Sequence, residues 1–317
     1  MQGWVMANNR WDAIVVGGSA AGLSAAQMLG RARRKVLVVD GGSPRNRFAS
    51  HIHGVLGHDG TPPGELVAAG RRELQRYGVE FASGNVTSVA DGDGVVSVTI
   101  EGSETQDARV LVVATGVTDN LPPIPGLAQR WGISVLHCPY CHGWEARDKK
   151  FGVVTTTPMS MHQAELVRQW SDDVTVFTAG AGEIDPEVEQ RLQARGVKLV
   201  SAPVVEIDGD GDSINVVRTA DGAEHDIEIV FTGGPMTAND SFLDGLNLDR
   251  SDTPFGNFLK VDDFGRTSHE RIWAVGNVSN PMSHVPMAMS AGTTGGAFAN
   301  AILVAEDGAI AVEESKR

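Results

Sequence analysis

A chain of 317 residues with 41% hydrophobic content and 38 glycines can bury cores for two domains and sits far above the size at which a core becomes marginal. Its formal net charge of −14 argues against nucleic acid and anionic membrane surfaces as partners, because a phosphate-binding face needs clustered Lys and Arg. The opening residues MQGWVMANNRW lack a signal-peptide core and cleavage site, and no run approaches the roughly 18 apolar residues of a membrane span, so a cytoplasmic chain is expected.

In chain order, Asp12 to Gly18 (DAIVVGG) reads as a short buried strand ending in glycines, and the Ala-rich stretch to Arg31 as a helix. A second strand, Lys35 to Val39, stops at Asp40. Strands are predicted at Val95 to Ile100 and Arg109 to Ala114, the latter running into Ala114-Thr115-Gly116. The segment Leu121 to Gly126 carries three prolines and marks a domain boundary. From Lys150 the pattern restarts with a strand at Phe151 to Thr155, a helix from about Met159 to Trp170 and a strand at Val174 to Thr178, which together make a second βαβ unit. After Thr232-Gly233-Gly234-Pro235, a strand at Ile272 to Val275 precedes Gly276-Asn277 and a Gly/Ala/Ser-rich helix that is expected to return to the first domain. The fold class is therefore α/β, with two Rossmann-like domains. Residues 1–122 and 236–317 form one, and residues 123–235 form a second inserted in it.

Gly17-Gly18-Ser19-Ala20-Ala21-Gly22 fits the dinucleotide fingerprint except that its middle glycine is Ser19. Gly17 permits the tight turn, Gly22 lets helix and strand pack closely, and the helix N-terminus offers amides to a pyrophosphate. Asp40, at the end of the next strand, can accept hydrogen bonds from a ribose diol. Strand, turn, helix, strand and acid in that order outweigh the plain alternative, an ordinary strand-to-helix turn.

The only cysteines are Cys138 and Cys141, spaced as C-x-x-C. In an intracellular chain such a pair is a redox or metal candidate. Zinc is the weaker reading, because His137 and His142 flank the cysteines directly and a tetrahedral site wants four ligands; no metal is expected. At a helix start the first thiol gains acidity and the second resolves a mixed disulfide. His142 can shuttle a proton to or from a thiol. The plain alternative is a buried, unreactive cysteine pair beside a surface histidine.

With these residues assembled, nearly the whole chain resembles the low-molecular-weight thioredoxin reductase family. The resemblance implies a homodimer in which an FAD domain is split by an inserted domain that carries the disulfide and usually binds NADPH. It places FAD against Gly17, Gly18, Ser19, Ala20, Ala21, Gly22, Asp40, Gly41, Arg47, the backbone around Val86, Thr115, Gly116, Gly276 and Asn277. The start of the helix behind them, at Pro286 and Met287, completes that set. Three departures matter. The second Gly-rich loop is replaced by Thr155-Thr156-Thr157-Pro158-Met159-Ser160, and no basic residue follows Val174 to Phe177 until Arg191, so a degenerate NADPH-type site is expected. The acid after the disulfide is His142, a pattern that resembles the C-x-x-C-H dithiol oxidases of the gliotoxin and holomycin type. The C-terminal Gly-Asp is Gly276-Asn277, and the Arg-Gln pair aligns with Val285-Pro286. His51, His53 and His284 are further candidates for lining the flavin or substrate pocket, although each such histidine is more often merely packed or exposed.

These features imply an FAD-dependent thiol-disulfide oxidoreductase that oxidises a small-molecule or peptide dithiol through Cys138 and Cys141, with FAD and then dioxygen as acceptors. The alternative is a reductase for a thioredoxin-like protein, fed by NADPH or another reduced protein. A third reading, a flavoprotein whose FAD is structural or sensory, leaves the C-x-x-C without a purpose.

Overall fold

A computed structural model of the chain describes residues 10–317; the leader reading of the N-terminal stretch falls, up to residue 9, outside them. The chain divides into two units, one comprising the chain to Arg45, Gly64–Thr118 and Met236–Arg317, the other Asn46–Pro63 and Asp119–Pro235.

The first unit begins with β1 (Trp11–Val16), α1 (Ala20–Arg31), β2 (Val36–Asp40), α2 (Pro63–Gln75), β3 (Glu80–Ser83), β4 (Val86–Gly92), β5 (Val95–Ile100) and β6 (Gln106–Val113). β6 starts three residues before the expected Arg109, because its polar opening Gln106-Asp107 pairs antiparallel with Val98 and Ser97 of β5. After β7 (Val117–Asp119), the second unit contains β8 (Val135–Leu136), α3 (Pro139–Ala146), β9 (Phe151–Val154), α4 (Ser160–Val167), β10 (Val174–Phe177), α5 (Pro186–Ala194) and β11 (Lys198–Val200). A three-stranded antiparallel sheet of β12 (Val204–Asp208), β13 (Val216–Thr219) and β14 (Glu224–His225) precedes β15 (Ile229–Thr232). Beyond β16 (Met236–Ala238), β17 (Arg250–Thr253) and β18 (Gly256–Leu259), the chain returns to the first unit with β19 (Ile272–Ala274) and α6 (Val285–Ser315).

The main sheet has the order β3-β2-β1-β6-β5-β4, and β19 pairs parallel with β6. Its central strands are apolar on both faces, as a parallel sheet covered on both sides requires. Alternate residues feed separate cores: Ile14, Val16, Leu111 and Val113 face one, Ala13, Val15, Val110 and Val112 the other. The second unit has the order β11-β10-β9-β15-β8. This is the expected α/β class, with parallel sheets in both units.

Two readings need correction. α4 ends at Val167, not Trp170; the last residues turn away, and the Trp170 ring lies where a Cβ on Gly143 would come within 2.7 Å of it. Between β2 and α2 the chain makes a short 3-10 turn, Arg45–Phe48, and an isolated Ile52–Thr61 bridge. α6 also meets the length and hydropathy of a membrane-crossing helix, which the search for long apolar runs missed because its apolarity is spread over Gly, Ala, Ser and Thr. Its glycines serve packing: a Cβ at Gly292 would lie 2.0 Å from the Ala21 carbonyl oxygen, and one at Gly296 2.5 Å from that of Ala25. Only glycine allows α1 and α6 to approach that closely.

Candidate active site

The first unit builds a dinucleotide cradle where β1 meets α1. Gly17 turns the chain at φ +107°, and a Cβ there would lie 2.3 Å from the Ala114 carbonyl oxygen. A Cβ on Gly18 would fall 2.7 Å from Asp40 Cγ, and one on Gly22 1.8 Å from the Gly17 carbonyl oxygen. Ser19 is the N-cap of α1 but its hydroxyl makes no capping bond, so the first-turn amides at Ala20 and Ala21 point out with no protein acceptor from the cap. Asp40 is half-buried; it accepts from the Gly42 amide at 3.2 Å and pairs with Arg71 of α2, a residue the sequence reading missed because nothing in its helical spacing marks it. Gly41 follows, with its Cα against the Asn85 side chain, and Val86 opens β4.

Thr115 and Gly116 follow β6. The Thr115 hydroxyl is buried without a hydrogen-bond partner, and the space beside Gly116, at φ +70°, is open. An orphaned buried hydroxyl next to an open glycine is what a bound polar ligand would complete. Gly276, also left-handed, presses against Ala21. The Asn277 amide nitrogen donates to the carbonyls of Asn280, Pro281 and Ser283 at 3.2, 3.0 and 2.9 Å. An aspartate could not donate these bonds, so Asn277 anchors the loop into α6, whose first turn contains Pro286 and Met287. The side chain of Arg47 lies over the Phe48 ring at 4.1 Å, on the segment Asn46–Pro63 that groups with the other unit. His51 and His284 are exposed. With that open turn, uncapped helix start and orphaned hydroxyl, the first unit fits FAD.

The second unit carries the redox pair. Cys138 and Cys141 are bonded, with their Cα atoms 5.2 Å apart. Cys138 is the N-cap of α3, Pro139 follows in the first turn, and the Cys141 amide donates to Cys138 Sγ at 3.2 Å. That amide stabilises negative charge on Cys138 when the bond opens. His142 comes next, half-buried; burial pushes its pKa below the ordinary histidine value, Glu145 works against that and His53 adds to it. The imidazole is therefore neutral at pH 7 and able to accept a thiol proton. Exposed Tyr140 and Trp144 frame the pair.

The loop after β9 is closed on itself. The Thr156 and Thr157 amides both donate to the buried Ser160 hydroxyl, at 3.1 and 3.3 Å. Thr155 Oγ1 donates to the Phe177 carbonyl at 2.8 Å and accepts from the Gly180 amide at 3.1 Å. The Thr156 hydroxyl is bonded to the Gly233 carbonyl. Amides that a pyrophosphate would need are already taken, and Thr178 to Gly180 after β10 offers no cation.

Glu145, His53 and Asp59 also belong to this site. His53 Nε2 is 3.5 Å from Glu145 Oε1, and His53 Nδ1 is 3.3 Å from Asp59 Oδ1. Glu145 was legible in principle, three residues after His142 on one helix; Asp59 was not, since its loop has no period.

Comparison with known proteins agrees with this geometry. Residues 11–292 match the family described as pyridine nucleotide-disulphide oxidoreductase. "Thioredoxin reductase sirT" of Leptosphaeria maculans is 32% identical over 309 residues, covering 92% of this chain and 93% of that protein. "Thioredoxin reductase tcpT" of Claviceps purpurea is 31% identical over 320 residues, covering 94% and 96%. Among solved structures, HlmI superposes with a TM-score of 0.91 at 38% identity over 98% of each chain. An oxidoreductase from Agrobacterium tumefaciens gives 0.88 at 39%, covering 93% of this chain and 99% of its own.

Proposed function

The chain belongs to the pyridine nucleotide-disulphide oxidoreductase family, and on that premise we propose that it is an FAD-dependent oxidase of a small-molecule or peptide dithiol. The observation that carries this reading is the self-bonded loop from Thr155 to Ser160, where the nicotinamide loop of such a domain belongs, beside an intact cysteine pair with a neutral base. His142 takes the proton of a substrate thiol, and the thiolate attacks the Cys138–Cys141 bond. The second substrate thiol then closes the product disulfide and leaves both protein sulfurs reduced. The exposed rings of Tyr140 and Trp144 suit an uncharged, partly apolar substrate. When bound, FAD supplies two-electron exchange with the cysteine pair and, in the oxidase direction, passes those electrons to dioxygen.

The deciding experiment is anaerobic mixing of the yellow holoenzyme with either a dithiol or NADPH. A dithiol should bleach the flavin absorbance within seconds while NADPH leaves it unchanged; the reverse pattern overturns the proposal. The names of the fungal relatives favour a second reading, reduction of a thioredoxin-like protein, and fast bleaching by NADPH followed by thioredoxin reduction would select it. A homodimer in the cytoplasm completes the proposal. Val304 and Ile310 of α6 are exposed, as are Phe264 and Phe298, which stack at 3.8 Å; a sedimentation mass of one 33.5 kDa chain would count against the dimer.

A further inference from the structure

The acid that ends β2 is set against the loop that would hold the phosphates of FAD. A Cβ on Gly18 would come within 2.7 Å of both Cγ and Oδ2 of Asp40, so the carboxylate touches the backbone of the Gly17 to Gly22 turn. Its side chain is 16% exposed, and water and salt screen a charge so placed much less than one at the surface. The same turn leads into the uncapped start of α1, where a pyrophosphate would bring further negative charge. An acid in this position attracts the ribose hydroxyls of the cofactor and repels its phosphates.

Arg71 meets that acid from outside the turn. It lies on α2, which packs closely on α1: a Cβ on Gly70 would stand 3.0 Å from Cδ1 of Leu23. Its Nη2 donates to Asp40 Oδ2, and its guanidinium lies over the Phe81 ring of β3 at 5.1 Å. β3 is paired with β2, Phe81 opposite Val38 and Ser83 opposite Asp40, so one sheet holds both the ring and the acid that fix the cation. Asp40 Oδ1 accepts from the Gly42 amide at 3.2 Å. Each carboxylate oxygen therefore has one protein donor and a second lone pair left for a hydroxyl. Among the described residues this is the one ion pair that either side chain makes.

We propose that Arg71 is the counter-ion that lets Asp40 serve an anionic cofactor. It is a positioning residue that acts on FAD through Asp40: it cancels the charge beside the phosphate loop, holds the carboxylate in place and leaves the outer lone pairs to the ribose diol. Because the effect is on cofactor affinity, it holds whichever way electrons pass through the cysteine pair.

The test is the FAD dissociation constant of holoenzyme variants, read from the fluorescence of flavin released on dilution. Arg71→Met keeps an apolar stem over Phe81 and removes the charge, and it should bind FAD about 30-fold more weakly. Arg71→Lys keeps the charge but not the planar fork, and should stay within about 5-fold of wild type. The decisive variant joins Arg71→Met to Asp40→Asn. Removing the acid removes the repulsion that Arg71 offsets, so the double variant should bind FAD at least about 5-fold more tightly than Arg71→Met alone. An arginine that held the phosphates itself, or merely braced α2, would be missed equally with either residue at position 40, so a double variant no tighter than Arg71→Met overturns the proposal. Wild-type affinity in Arg71→Met, or a lysine variant as weak as the methionine one, overturns it as well. Melting temperatures with FAD in excess keep a loss of folding apart from a loss of affinity; should Arg71→Met not fold, Arg71→Gln takes its place in the same cycle.

Discussion

Replacing Cys138 or Cys141 by serine should cut dithiol oxidation by at least about 10³-fold while leaving the protein yellow. The hydroxyl of serine cannot form the S–S bond that receives the electrons, and a lone cysteine has no partner sulfur to leave when substrate attacks. FAD retention should be unaffected, because the cradle at Gly17 to Gly22, Thr115 and Gly276 lies in the first unit and the cysteines in the second. The folded state should also be spared: both sulfurs sit in the first turn of α3 and close a loop only three residues long, so the bond restrains little unfolded chain. Steady-state rates and the visible spectrum of each variant check the result. Undiminished turnover in either one would show that electrons bypass the sulfurs.

This outcome separates catalysis from mere ornament more sharply than any change at His142. A histidine variant at that position should be slowed by about 10²-fold, the typical worth of a positioned base, because solvent hydroxide can still ionise a substrate thiol. The pH profile gives the sign. Burial holds the His142 pKa below its ordinary value, so the base form, and with it activity, is fully present above that value and is lost only as pH falls through the lowered midpoint.

The parts of the molecule that were legible in sequence are those whose residue types are forced by close approach. Gly17, Gly22 and Gly276 must be glycine, because the turn or the neighbouring backbone leaves no room for a Cβ, so a strand-turn-helix pattern announces the cradle. The C-x-x-C helix start was readable for a similar local reason: an N-cap and a proline fix the geometry within four residues. The end of α4 was misread because Arg168 to Trp170 keep helical hydropathy while Trp170 is spent against Gly143, a tertiary contact with no local signature. The loop from Thr155 to Ser160 was recognised as lacking glycines. That its hydroxyls and amides would satisfy one another was not, since this depends on Ser160 being buried at the start of α4. His53 is the extreme case. It meets Glu145 only because Asn46–Pro63 groups with the second unit, although its neighbours in sequence on both sides belong to the first.

The second large effect is expected at Gly17, where even alanine should abolish FAD retention. At φ +107° an L-residue is strained by about 1–3 kcal/mol. The added methyl would also stand 2.3 Å from the Ala114 carbonyl oxygen and 2.7 Å from its carbon, backbone atoms held by the pairing of β6 with β1 and β19. Neither can give way without parting the strands, so overpacking adds about 1–3 kcal/mol more. Against the roughly 5–15 kcal/mol of a whole domain this leaves a weakened first unit, and any relief by movement of the turn displaces the α1 amides from the pyrophosphate. Gly42→Ala is the matched control: Gly42 is also left-handed, at φ +73°, but has nothing within 4 Å of its missing Cβ, so that variant should lose about 1 kcal/mol and stay yellow. Cofactor content and melting temperature measured side by side distinguish the two. A yellow Gly17→Ala protein with unchanged melting would mean that the β1–α1 turn does not hold the cofactor.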